Sequence, residues 1–151
     1  MKKILTILLI FIALNAESDY VARLYNPELV KDTLDITATY YNPVLSQTDS
    51  DPLVTASMKT IDTVKLRNNE IRWVAVSKDL LKRYGGIYSF GDTITILSKN
   101  KNIRGKWIVA DVMNFRKRKS VDFLCYNKIK GSMEDAKILL GWKFIQTELQ
   151  K

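Results

Sequence analysis

Two aspartates, Asp111 and Asp122, lie eleven residues apart in the stretch GKWIVADVMNFRKRKSVDFLCY (105–126), each at the polar junction of an apolar, strand-like run. A carboxyl group held at such an edge can be drawn out of water. Burial or a like-charged neighbour then raises its pKa from ~3.9 toward neutrality, where it can carry protons. The chain has no histidine and one cysteine, Cys125, so Ser-His-Asp and Cys-His machinery and a histidine-ligated zinc centre are excluded. Any catalysis therefore rests on carboxylates. The acidic loop Thr48–Asp51 is too short and irregular for a calcium site, and no glycine loop of the phosphate-binding kind is present, so neither a metal nor a cofactor is expected. Asp111 has an ordinary alternative, an Asx turn bonding the backbone of Met113 or Asn114. For Asp122, inside an apolar strand, a site role is favoured over a structural one, because an unpaired buried carboxylate is costly.

The elements that must position these groups are short. Asp35–Tyr41 alternates as a strand does and Asn42-Pro43 ends it. Ile71–Val76, Asp92–Leu97, Lys106–Ala110 and Val121–Cys125 read as further strands separated by Gly, Asn and Lys turns. Ser77 can cap a short helix through Leu81, and Tyr84-Gly85-Gly86 breaks it. Two more helices are expected: one opened by Asn26 and Pro27 and continuing through Glu28 to Val30, and one opened by the capping box Ser132–Asp135 and running to about Leu140, where Gly141 stops it. Trp142–Thr147 then closes the sheet as a last strand. Short strands at this density predict a small barrel rather than a parallel α/β sheet.

Residues 1–16, MKKILTILLIFIALNA, place two lysines before an unbroken apolar run and end on a small residue, the pattern of a signal peptide for export. Leu14 is bulky for the minus-three position, which leaves a retained leader acting as a membrane anchor open. Residues 17–34 form a lead-in and 35–151 the single domain. The full chain carries +8, concentrated at Lys99, Lys101, Arg104, Lys106 and Arg116–Lys119. Such a belt suits an anionic membrane or a wall polymer with free carboxylates, or is a solvated face. Nucleic acid is not expected, since export separates the two and no aromatic residues interleave the basic runs. Cys125, alone in an oxidising compartment, reads as a small core residue on the side of its strand opposite Asp122.

The succession ITATYYNPV (36–44), VTAS (54–57), WVAVSKDLL (73–81), FGDTITI (90–96), GKWIVADVMN (105–114) and SVDFL (120–124) resembles the 3D domain, a family named for three aspartates. It covers roughly Asp35–Cys125. The resemblance implies a mainly β fold, a small six-stranded double-psi β-barrel with one or two short helices, and it implies the activity of a peptidoglycan lytic transglycosylase acting on glycan strands. Asp111 and Asp122 match the paired aspartates of the family, and Asp122 falls on its general acid/base. Ser77 stands where the family has its first aspartate, with Asp79 two residues on. Met58 replaces the glycine commonly following T-A-S, and Val112-Met113-Asn114 replaces Thr-Gly-Gly. Thr39, Tyr40 and Thr55 are then candidates to line a sugar groove, or to pack as ordinary strand residues, and Asn114 and Arg116 are candidate substrate contacts. Trp73 and Trp107 can stack on sugars or serve the core. A non-catalytic wall-binding barrel and an expansin-like barrel are the alternatives. The run Arg116–Lys119 is expected to point outward from a hairpin tip, because cations beside Asp122 would lower its pKa.

Overall fold

Alternation in the strand sequences is realised as six strands: β1 (Glu28–Tyr41), β2 (Trp73–Val76), β3 (Thr93–Leu97), β4 (Gly105–Val112), β5 (Ser120–Leu124) and β6 (Glu134–Ile145). The computed structural model describes residues 28–48, 50–126 and 133–145. The strands close into a barrel in the order β1-β5-β2-β4-β3-β6. β1 with β5 and β2 with β4 are parallel pairs, whereas β2 with β5, β3 with β4, and β3 with β6 are antiparallel. Exchanging β1, β2 and β3 with β4, β5 and β6 maps this pairing scheme onto itself. The two parallel pairs are the two psi elements of a double-psi barrel, the fold class expected from the sequence.

Each strand turns one set of alternate residues inward. Ile36, Ala38 and Tyr40 of β1, Val74 and Val76 of β2, Ile94 and Ile96 of β3, Trp107 and Val109 of β4, Val121 and Phe123 of β5, and Ala136 and Ile138 of β6 fill the barrel. Phe123 stands at the centre, with Trp107 edge-on at 4.7 Å between ring centroids. A second cluster lies on the other face of the sheet, where Tyr41, Ala75, Met113 and Leu124 pack against Ile61, Leu66 and Ile71. A five-residue helix, Thr63–Arg67, belongs to this cluster through Leu66. Its N-cap Asp62 accepts from the Val64 and Lys65 amides at 2.9 and 3.0 Å.

The chain falls into two compact units, one of Thr33–Leu140, which carries the barrel core, and one of Met1–Asp32 with Gly141–Lys151. Within the second unit, Lys143 Nζ meets Asp32 Oδ1 at 2.8 Å and Lys31 lies 5.6 Å from the Trp142 ring.

Both terminal helix expectations are corrected. Glu28–Val30 begins β1 rather than continuing a helix, and Glu134–Leu140 is strand; Asn26, Pro27 and Ser132 lie outside the described residues. A few turns of helix give little net stability in isolation, whereas β6 satisfies the free edge of β3 by pairing Lys137, Ile138 and Leu139 with Leu97, Ile96 and Thr95. Its alternation, with Ala136 and Ile138 buried and Asp135 and Lys137 exposed, serves a strand as written. Gly141 stops nothing: β6 runs through it, so the separate strand expected at Trp142–Thr147 is the end of the same element as far as Ile145. After Ser77 come two single 3₁₀ turns, Lys78–Leu80 and Lys82–Tyr84, the second ended by Gly85 at φ +88°.

Candidate functional site

Pairing sets four residues in one row across four adjacent strands. Thr39 of β1 is opposite Asp122 of β5, Asp122 is opposite Ala75 of β2, and Ala75 is opposite Asp111 of β4. Asp111 reaches this row through a bulge. β2 and β4 pair as Val74 with Val109 and then Ala75 with Asp111, so Ala110 is the extra residue. Simple alternation would send Asp111 inward with Trp107 and Val109. The bulge flips it onto the outer face and turns Val112 toward the core instead.

Both aspartates line a cleft of about 690 Å³, with Tyr41, Ala75, Thr55, Ala56, Met58, Asn114 and Lys117 among its walls. The small Ala75 between the two carboxylates keeps the floor open. The Thr39 hydroxyl, buried, donates to Asp122 Oδ1 at 2.7 Å. Asp111 Oδ1 accepts from the Ala56 amide at 2.9 Å and from the Val112 amide at 2.8 Å, tying the 51–58 loop to the end of β4. These donors are not those of the Asx turn considered for Asp111, and the Met113 amide donates to the Val76 carbonyl at 2.9 Å instead. The Tyr41 hydroxyl is directed at Asp111 Oδ2 at 3.5 Å. Burial, then the charges of Asp111 and Asp122 and the bond to Asp111, hold the Tyr41 phenol well above its ordinary pKa, so it stays a neutral donor between the carboxylates.

Of the expected site residues, the structure brings together Asp111, Asp122, Thr39, Thr55 and Asn114. Thr55 is buried and its hydroxyl is occupied locally, meeting Ser57 Oγ at 3.0 Å and accepting from the Lys59 amide at 3.2 Å. It shapes the 55–59 turn. Tyr40 is placed elsewhere: one residue from Thr39 on a strand, its side chain must point to the opposite face. Its hydroxyl donates to Glu134 and accepts from Asn100 Nδ2 at 2.8 Å, and its ring lies 6.1 Å from Phe123. Tyr41, which shares the Thr39 face by the same rule, is a cleft residue that the sequence motifs alone do not single out. Arg116 lies outside the cleft lining, its guanidinium 5.6 Å from the Phe115 ring. Arg116–Lys119 are all exposed, and Lys117 among them also borders the cleft. Trp107 belongs to the core, and Trp73 packs beside the outer cluster with Lys59 Nζ 5.3 Å from its ring.

The Ser77 position is fully buried and outside the cleft lining. Its Oγ accepts from the Ser120 amide at 3.0 Å. Asp79 also lies outside that lining. Its Oδ2 accepts from the Lys119 amide at 3.0 Å. Burial pushes its pKa up, but the Lys119 amide, the Ser77 hydroxyl and the Arg118 charge outweigh burial and hold it below the usual carboxylate value. This pair clamps the start of β5. Met58, at the family's glycine position, adopts φ +62°, the region where a glycine carries no Cβ penalty. Cys125 packs against the barrel core, and its thiol meets the Tyr41 carbonyl at 3.3 Å. Among the described residues no cluster of His, Cys, Asp or Glu has the makings of a metal site.

The neutral Tyr41 donor, the hydroxyl-bonded Asp122 and the amide-bonded Asp111 together form a polar floor suited to a hydroxyl-rich ligand. No protein-family model matches the chain, and no curated protein matches it.

Proposed function

We propose that this chain is an exported lytic transglycosylase of the 3D-domain type, cleaving the β-1,4 bond between N-acetylmuramic acid and N-acetylglucosamine in peptidoglycan. The observation that carries the reading is the row Thr39–Asp122–Ala75–Asp111, which puts the two motif aspartates on one cleft floor with a hydroxyl donor on Asp122. In the proposed reaction Asp122 enters protonated and gives its proton to the glycosidic oxygen as the C1–O bond breaks. The resulting carboxylate takes the proton of the muramyl 6-hydroxyl as that oxygen bonds to C1, giving a 1,6-anhydro product and restoring the acid. No water is consumed, so one acid/base suffices where an ordinary glycosidase needs two carboxylates. Asp111 then acts as the organiser of the 51–58 loop, and Tyr41 as a neutral donor to sugar oxygens.

A second reading, a barrel that binds wall glycan without cutting it, is favoured by the engagement of Asp111 with two backbone amides and by Ser77 in place of the family's first aspartate. Digestion of purified peptidoglycan separates the two. Anhydromuropeptides from the parent protein and none from Asp122→Asn, read by mass spectrometry, are expected. Reducing ends would mean hydrolysis, and binding without cleavage would favour the second reading.

A further inference from the structure

Three loops meet at the cleft mouth, and each carries an exposed apolar side chain. Leu45 is 70% exposed on the 42–48 loop, Met58 is 82% exposed on the 51–58 loop, and Phe115 is 67% exposed on the β4–β5 connection. Met58 itself, with Gln47 and Thr48, Val54 to Ala56, and Asn114 and Lys117 from the same three loops, lines the cleft, so the three loops border one opening. A single exposed apolar residue is ordinary, whereas one on each of three loops bordering the same cleft marks an interaction surface.

The Phe115 tip is followed by four consecutive exposed cations, Arg116–Lys119. A turn presents it: Asn114 Oδ1 accepts from the Arg116 amide at 3.1 Å, and the Lys117 amide donates to the Asn114 carbonyl at 3.0 Å. The carboxylates of this face, Asp51, Asp111 and Asp122, line the cleft, whereas Phe115, Arg116 and Arg118 stand outside the lining. An aromatic ring beside a run of cations suits the boundary of a bilayer, where the ring enters the headgroup layer and the cations meet anionic headgroups.

The geometry points to the cleft face as a docking surface for an anionic lipid bilayer, with Phe115, Leu45 and Met58 as apolar tips and Arg116, Lys117 and Arg118 as headgroup contacts. A soluble polyanion would engage the same cations but would leave the apolar tips in water, which favours lipid as the occupant. Docking through this face covers the cleft mouth, so bilayer and glycan strand would occupy it in turn, and a label at the tip reads the bilayer contact without reference to what the cleft does chemically.

Fluorescence on the full chain tests it. Phe115→Cys in a Cys125→Ala background carries a polarity-sensitive thiol label at the tip, and Lys106→Cys in the same background carries it on the exposed side of β4 as a control. Vesicles of phosphatidylglycerol should blue-shift the label at 115 and bring it within reach of lipid-borne quenchers. Vesicles of phosphatidylcholine should give a much weaker response, soluble polyglutamate none, and the label at 106 should stay silent throughout. The triple change R116Q/K117Q/R118Q should weaken vesicle affinity read at 115 by about a hundredfold at low salt, since each cation near an anionic surface is worth roughly a fivefold factor. Because the label reports its own surroundings and is compared with position 106, attachment through the apolar start of the chain does not imitate the result. No shift at 115 with phosphatidylglycerol, an equal shift at 106, or an equal response to phosphatidylcholine or to polyglutamate overturns the proposal.

Discussion

Asp122 and Thr39 form the smallest unit on which the proposed chemistry depends. The Thr39 hydroxyl at 2.7 Å fixes where one carboxylate oxygen sits, and Thr39→Val removes that bond with little change of shape. The yield of anhydromuropeptides should fall by up to about tenfold, in line with the roughly 0.5–1.5 kcal/mol of a hydrogen bond to a neutral acid, while the thermal transition moves little. A larger residue at Ala75 acts differently. Ala75→Leu places three more carbons between the two carboxylates, and glycan binding should be lost while the melt retains its cooperativity, as measured by glycan co-sedimentation and circular dichroism.

At the scale of elements, the bulge at Ala110 decides the site. Without it Asp111 would share the inward face with Val109, which is fully buried, and an unpaired carboxylate there is costly. Deleting Ala110 should therefore lower stability by several kcal/mol in denaturant melts, an effect of the bulge rather than of the alanine side chain. The 55–58 turn offers a converse case. Met58→Gly at φ +62° removes a Cβ from a left-handed position and should raise stability by up to about 1 kcal/mol. Gly86 tolerates no such exchange in reverse, because a Cβ there would stand 2.2 Å from the Leu80 carbonyl carbon. Local alternation separates Thr39 and Tyr41 from Tyr40, so Tyr41 follows from the strand period only once Thr39 is placed at the site. Lys117 was not legible as a cleft residue, since nothing in a run of four exposed cations tells which one will border the cleft.

For the whole molecule, two sets of shifted groups bound the pH range of stability. Asp79 titrates lower when folded than the ordinary 3.8, so it contributes stability that is present above that value and is lost as pH falls through its folded pKa. Tyr40, Tyr41 and Tyr88 titrate higher when folded than the ordinary 10.0. Their contribution is complete below pH 10.0 and is lost as pH rises beyond it toward their folded values. Spectrophotometric titration should therefore show a late-ionising group of tyrosines, and Tyr41→Phe should remove one of them and flatten the alkaline limb of the stability curve. Asp79→Asn should flatten the acid limb in the same assay.

The class of fold, the positions of β2, β3, β4 and β5, and the two aspartates could be read from the chain alone, because alternation and turn residues act over a few positions and need no partner to be read. The sequence also pointed to the core for Cys125, which follows the end of β5 and packs against the barrel core while Asp122 lines the cleft. That Glu134–Ile145 is a strand despite its helix-capping signals depends on long-range pairing, since the free edge of β3 lies some forty residues away and supplies the partner that a lone helix lacks. The same holds for Asp111. Its sequence neighbours place it with the core, and only the register of β4 against β2 turns it to face the cleft it shares with Asp122.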